Sequence, residues 1–399
     1  MSVSVVVTGA GVVSPAGADW KAHADGLYTG RSLVRPLSPP LFPEYSAFRR
    51  PIGARALFDA DREDRSQPRF VAMAEAAAAE AVGMGGGPDA ISGTRVAVVG
   101  ATAVGAALEL EAAYRRGIPA PGLFTFDLAT EAVATLLGTR GPKLTVTTGC
   151  TAGLDALGTG LRLIRSELAD AAIVVAADAA LSPIVTASFQ RIGALSRRDC
   201  HPAKASTPFA ADRDGFTLGE GAAAILLERA DRAAARGVRP IARLLGWASV
   251  SSALHMTALR KDGEDIAGSI RMALADAAVP ADAVDLLDAH GTSTPLNDMS
   301  EAAAYQTVFG ARAARIPLTA QKGVVGHALG ASNLLEVAGV VSFLVDGKLA
   351  PIANTTAETL AYDVGAVLGS PPAFFGEFAV KTSSGFAGIH TTCVMGAAL

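Results

Sequence analysis

Cysteine is scarce in this chain: three in 399 residues, Cys150, Cys200 and Cys393, too few and too scattered for a disulfide framework or a thiolate metal site. A reduced, cytoplasmic setting is the expectation. Charge is sparse as well, at 18% of residues, with 34 Lys plus Arg against 38 Asp plus Glu and a net charge of −4. No basic run is present of the kind that follows a phosphate backbone, which argues against a nucleic-acid partner. The six histidines include no pair four residues apart and no Cys/His cluster, which argues against a metal site. The opening MSVSVVVTGAG lacks a basic flank and a long apolar span, so it is expected to be neither a signal peptide nor a membrane anchor.

What the chain does have is apolar residues, 50% of the total, and 42 glycines. That composition excludes disorder and supplies one large core or two fused ones. Helical and β-type patterns alternate along it. Residues 3–7 form a β-branched strand feeding a tight turn at TGAG, 33–52 read as an irregular surface loop, and 70–82 as an Ala-rich helix. Strands are expected at 95–99, 172–177 and 222–227, and helices at 106–116 and 128–137. A second half begins near Ile241 with a strand, then alternates helix 266–277, strand 284–289, helix 297–308, strand 318–322, helix 331–344 and closing strands at 378–382 and 391–395. This is an α/β chain in two halves, 1–240 and 241–399.

The stretch LTVTTGCTAGLDALGTGLRLIRSEL, 144–168, organises the rest. It reads as a strand ending at Gly149 and a helix starting at Cys150, with Leu154, Leu157, Leu161, Ile164 and Leu168 on one apolar face. Gly153, Gly158 and Gly160 each cost a helix about 1 kcal/mol against Ala, tolerable where another backbone packs close. The helix is therefore central. At its N-terminus Cys150 meets unpaired N–H groups and the positive end of the dipole, which predicts a thiolate stabilised below the ordinary pKa of about 8.5. A small buried hydrophobe is the bland alternative.

Two further stations repeat the device of a reactive side chain at a strand end. DAHGTSTPLND puts His290 after a buried strand, followed by small hydroxyl residues. QKGVVGHALGASNLL sets Lys322 directly after a strand, then His327 and, on the next helix, Glu336. A thiolate and two imidazoles make an acyl-transfer set.

Together TTGCTAGLDA, DAHGTSTPLND and KGVVGHALGAS resemble the β-ketoacyl-carrier-protein synthases of the thiolase superfamily, and the likeness runs from VVVTGAGVVSPAG to SGFAGIHTTCVM. It is nearer to the ketosynthase subunit of bacterial polyketide systems than to the fatty-acid enzyme. The resemblance implies a thiolase-like five-layered αβαβα fold of two duplicated halves, usually dimeric. It implies that Cys150 takes an acyl chain from a carrier protein's phosphopantetheine, with the N–H groups of Cys150 and Phe386 as oxyanion hole. His290 and His327 would serve decarboxylation of a malonyl-type extender, Thr292 and Thr294 would bind the pantetheine arm, and Lys322 with Glu336 would hold His327 and the local charge in order. No cofactor beyond the carrier's arm and no metal is implied. The partners implied are an acyl carrier protein and a second subunit, identical or ketosynthase-like.

Several positions depart from the family pattern. Ala387 replaces a Gly beside Phe386 in the gate over the acyl pocket, which predicts a stiffer gate, because a Cβ restricts positive φ. Asn333 also replaces a Gly, Thr207 and Ala210 replace an Arg and an Asp, AADA at 176–179 replaces a Gly pair, and 117–130 is short. The alternatives are acyl transfer or cyclisation without decarboxylation, a non-catalytic partner subunit (which typically lacks the Cys), and a thiolase. A thiolase would need a second catalytic cysteine, whereas Cys393 lies in a strand pattern.

Overall fold

Ten strands carry the architecture of the computed structural model, which describes residues 3–37, 51–58, 67–88 and 95–398. The first half supplies β1 (Val5–Val13), β2 (Val96–Ala101), β3 (Lys143–Val146), β4 (Ala171–Asp178) and β5 (Gly221–Arg229). The second supplies β6 (Ala242–Ser251), β7 (Val284–Asp288), β8 (Pro317–Thr319), β9 (Phe378–Gly385) and β10 (Ile389–Ala397). In space the first set runs β3-β2-β4-β5-β1 and the second β8-β7-β9-β10-β6, so each strand of one half has a counterpart five numbers later in the other. The senses match too. β2 is parallel to β3 and β4, while β5 is antiparallel to β4 and β1; β7 is parallel to β8 and β9, while β10 is antiparallel to β9 and β6. The duplication is plain in topology though no repeat is visible in the sequence.

A short junction, Val6 opposite Arg243 and Val7 opposite Ala242, joins the halves into one sheet of eleven strands, the eleventh being Gly365–Ala366 beyond β8. Most of the strands are buried on both faces because helices cover both; the exceptions are the edge strand β3 and alternate residues of β6. On β4, Ala172, Val174 and Ala176 face a core shared with helices α2 (Ala152–Arg165) and α4 (Ser332–Asp346). The alternate residues, Ile173, Val175 and Ala177, face an outer core with α1 (Arg69–Met84). In the second half Val284, Val380 and Val394 face an outer core with α3 (Glu264–Ala277). Outer helix, sheet, central helices, sheet and outer helices make five layers. The stretch Leu329–Asp346 is apolar enough to cross a bilayer, but α4 within it is one of the two central helices, buried from Ser332 to Phe343.

The local chemistry explains where sequence expectations fail. TGAG is not a turn: β1 runs through it, with a register shift between Val7 and Gly9. A Cβ at Gly11 would lie 2.0 Å from the carbonyl oxygen of Ala77, so the glycines exist to let α1 lie against the strand. α2 stops at Arg165, and Leu168 is 60% exposed instead of continuing the buried face. Of its glycines, only Gly153 meets another backbone, at Gly330 and Leu334; Gly158 makes room for the Trp247 ring and Gly160 for Val174. Helices Trp20–Tyr28, Pro183–Arg191 and Ala230–Ala235 were not anticipated. The loop expected at 33–52 falls partly outside the described residues; its described flanks, Arg35–Pro36 and Ile52–Ala54, pair as short strands.

Candidate active site

Cys150 sits in a 3-10 turn, Gly149–Thr151, two residues ahead of α2, with Gly149 at φ 64° making the bend. Asp155, in the first turn of α2, ties this corner together. Its Oδ2 accepts from the hydroxyls of Thr148 (2.5 Å) and Thr151 (2.8 Å), and its Oδ1 from Thr391 on β10 (2.8 Å). The carbonyl of Cys150 accepts from the Asn333 amide on α4, so Asn333 fastens that central helix to the Cys150 turn.

His290 follows β7 and is buried. Both oxygens of Glu301 hold the bend around it, accepting from the N–H of His290 (2.7 Å) and of Gly291 (2.8 Å). Its Nδ1 lies 3.2 Å from Lys322 Nζ and 3.4 Å from Ser383 Oγ. An ammonium donates only, so a charged Lys322 leaves the imidazole proton on Nε2. His327 stands with its ring 5.4 Å from that of His290 at 85°, its Nδ1 2.8 Å from Ser332 Oγ and its N–H on the Thr217 carbonyl.

Lys322 is not the partner of His327. β8 ends at Thr319, Lys322 opens a one-turn helix, Lys322–Val325, and its Nζ pairs with Glu336 Oε1 (2.5 Å) beside His290. The reason is topological: β7 and β8 are neighbours, so the residues just past their ends meet, whereas His327 is carried away toward Phe216 and the β5 side. A second buried lysine, Lys381 on β9, shares Glu336.

Burial sets the acidities here. The pKa values of both imidazoles are held well below 6.5, by burial first and then by the Lys322 charge, so both rings are neutral at pH 7. Cys150 departs from the sequence expectation. Although the residue is only half-buried, burial is the largest influence on its thiol and pushes it up to about 11; Lys322 and hydrogen bonds from the N–H groups of Phe386 and of Cys150 itself only offset this in part. Desolvation outweighs them.

Cys150, His290, His327, Thr292, Thr294 and Phe386 line one cavity of about 270 Å³. The Thr292 and Thr294 hydroxyls lie 3.0 Å apart. Phe386 stacks on Phe189, which packs edge-on against Phe216, and Phe216 edge-on against His327. This aromatic train from the loop to the imidazole joins four separate segments, and no spacing rule finds it. Ala387 already occupies the left-handed region at φ 67°, ψ 9°, and donates its N–H to Met256 (2.6 Å). The positive φ that a Cβ disfavours is therefore already adopted here.

The model of the β-ketoacyl synthase N-terminal domain matches residues 2–233, and that of the C-terminal domain matches 241–356. The chain belongs to the β-ketoacyl synthase family. This β-ketoacyl synthase is 38% identical over 375 positions, 88% of its own length and 79% of the relative's, to the actinorhodin polyketide putative β-ketoacyl synthase 1 of Streptomyces coelicolor. It is 35% identical to the tetracenomycin polyketide synthase ketoacyl synthase alpha subunit of Streptomyces glaucescens, covering 98% of the chain and 96% of the relative. Among solved structures it resembles a type II polyketide acyl-carrier protein's ketosynthase, bound to the hexaketide (TM-score 0.91, 33% identity, both chains fully covered). It also resembles the ishigamide ketosynthase/chain length factor (TM-score 0.90, 30% identity, both fully covered). The fold is thiolase-like.

Proposed function

We propose that this acyltransferase-type enzyme elongates a polyketide chain by decarboxylative condensation, with residues 1–240 supplying the nucleophile and 241–399 the histidines. Cys150 sulfur attacks the thioester carbonyl of an acyl carrier protein, with the N–H groups of Phe386 and Cys150 receiving the oxyanion; the pantetheine thiol leaves with the proton. The raised thiol acidity midpoint requires a base at that step, and a neutral histidine in the same cavity meets the need. A malonyl-type extender on a second carrier then loses CO₂. The enolate oxygen accepts from the Nε2–H of His290 and from His327, its carbon forms the new bond at the acyl carbonyl, and the Cys150 sulfur leaves. Thr292 and Thr294 hold the pantetheine arm.

The observation that carries this reading is the pair of neutral imidazoles, 5.4 Å apart, on the same cavity as Cys150. Acyl transfer alone uses one base and an oxyanion hole, while an enolate uses a second donor. Tyr114, Ile118, Phe124, Phe126, Leu136 and Leu144 expose apolar side chains between positions 114 and 144, and there we place the partner subunit, identical or ketosynthase-like. The free thiols of all three cysteines suit the cytoplasm.

Intact-mass analysis of malonyl-carrier and acyl-carrier proteins mixed with the enzyme tests the reaction. Cys150→Ala should abolish the acyl-enzyme, and His290→Ala should leave acylation measurable while removing CO₂ loss. An acylated Cys150 with no malonyl-to-acetyl conversion would favour transfer or cyclisation of the bound chain.

A further inference from the structure

The reaction described above gives Lys381 no part, although a lysine with no exposed side-chain surface is costly to keep. Its Nζ lies 2.8 Å from Glu336 Oε2 and 3.5 Å from Asp288 Oδ1, and it donates to the carbonyl oxygens of Thr382 (2.8 Å) and Ala289 (3.1 Å). Glu336 therefore has one oxygen on each lysine, with Oε1 2.5 Å from Lys322, and Lys322 reaches Nδ1 of His290 at 3.2 Å. Asp288 is held from its other side by the Gln321 amide (2.7 Å), which also donates to the Glu336 carbonyl (2.9 Å). Asp288, Lys381, Glu336, Lys322 and His290 are all buried, two ammonium groups against two carboxylates ahead of one imidazole. A carboxylate with one oxygen unheld can rotate; with both oxygens taken, it presents Oε1 in one direction.

We propose that Lys381 is a positioning residue. By holding Oε2 of Glu336 it fixes Oε1 against Lys322, so that Lys322 donates to Nδ1 of His290 and keeps the ring proton on Nε2, the nitrogen left for the cavity. The charged and titratable groups facing His290 are Lys322, His327, Lys381 and His390, with Glu301 on its backbone N–H. The Lys322 and Lys381 charges each disfavour a charged imidazole. Removing Lys381 therefore raises the His290 midpoint toward its ordinary value and moves the acid limb of the decarboxylation profile to higher pH.

The catalytic consequence rests on the reaction proposed above, so the first readout avoids that reaction. In full-length protein labelled with ¹⁵N-histidine, the His290 nitrogens, assigned by their loss in His290→Ala, should report the Nε2–H tautomer alone. Lys381→Met should mix the two tautomers. The double variant Asp288→Asn with Lys381→Met keeps the cluster neutral and stands in if the single variant does not fold; because Oε2 still lacks its partner, the mixture should persist. Unmoved nitrogen shifts in Lys381→Met, or a return to the wild-type shifts in the double variant, would overturn the proposal, the latter by reducing Lys381 to a counter-charge. Decarboxylation should fall about tenfold in kcat with the carrier KM unchanged, the low end of the loss met when the partner that orients a metal-bound imidazole is removed. A wild-type enzyme that does not decarboxylate would sink the proposed reaction, while the nitrogen shifts would still decide the place of Lys381.

Discussion

Ala387→Gly should stabilise the loop in its resting position. Ala387 holds φ 67° and ψ 9°, where a Cβ costs about 1–2 kcal/mol. Glycine removes that strain but returns roughly 0.4–1 kcal/mol through a freer unfolded chain. The net gain is about 0.5–1 kcal/mol, or roughly a twofold to fivefold shift in population toward the resting loop and a rise in Tm of about 1 °C. Hydrogen exchange of the residue 387 amide, which donates to Met256, should slow by the same factor, and acylation by long chains should slow with it. This reverses the stiff-gate expectation. Alanine makes the resting loop easier to leave, because the strained state is the one observed. A lower Tm, or faster exchange at residue 387, would refute the reasoning.

Iodoacetamide labelling of Cys150 should accelerate about tenfold per pH unit between pH 7 and 10, because its thiol is pushed up to about 11, whereas exposed Cys200 should already label at pH 7; a flat Cys150 rate in peptide mapping would contradict this. Gly158→Ala places a Cβ 2.1 Å from the Trp247 ring and should cost about 1–3 kcal/mol, read as a lower urea midpoint; no change would show that the ring yields freely. Burial raises Asp178 to about 6, so the folded chain binds that proton more tightly than the unfolded one. Its contribution is whole below about pH 4 and fades as pH rises through about 6. Asp178→Asn should therefore flatten the decline in urea midpoint between pH 4 and 7, and an unaltered slope would assign that titration to another group.

The strand-to-helix positions of Cys150, His290 and His327 were legible because each lies within a short run of residues whose pattern changes from β to helical. Of the partners that set their chemistry, the Lys322–Glu336 pair was legible and the others were not. Ser383 and Lys381 lie on β9 and Asp288 on β7, and they meet the residues after β8 only because β7 lies between β8 and β9, an order that alternation alone does not dictate. The acidity of Cys150 was misjudged for a related reason: the helix end is visible in a sequence, but the protein wrapped around the sulfur is not. TGAG misled because the glycines of a tight turn and the glycines of a close helix contact are the same letters.

The two ends of the eleven-stranded sheet are unlike each other. At one end β3 is a bare edge of four residues, with Lys143 and Leu144 exposed; at the other, β8 is covered by Gly365–Ala366, only two residues long. A second chain can add its own β3 to the bare edge about a twofold axis, and that contact consumes both bare edges at once. In such a pair only the two-residue strand would remain as an outer edge at each end. A two-residue strand offers little backbone for a further chain to pair with, which makes this end of the sheet the poorer template for edge-to-edge addition.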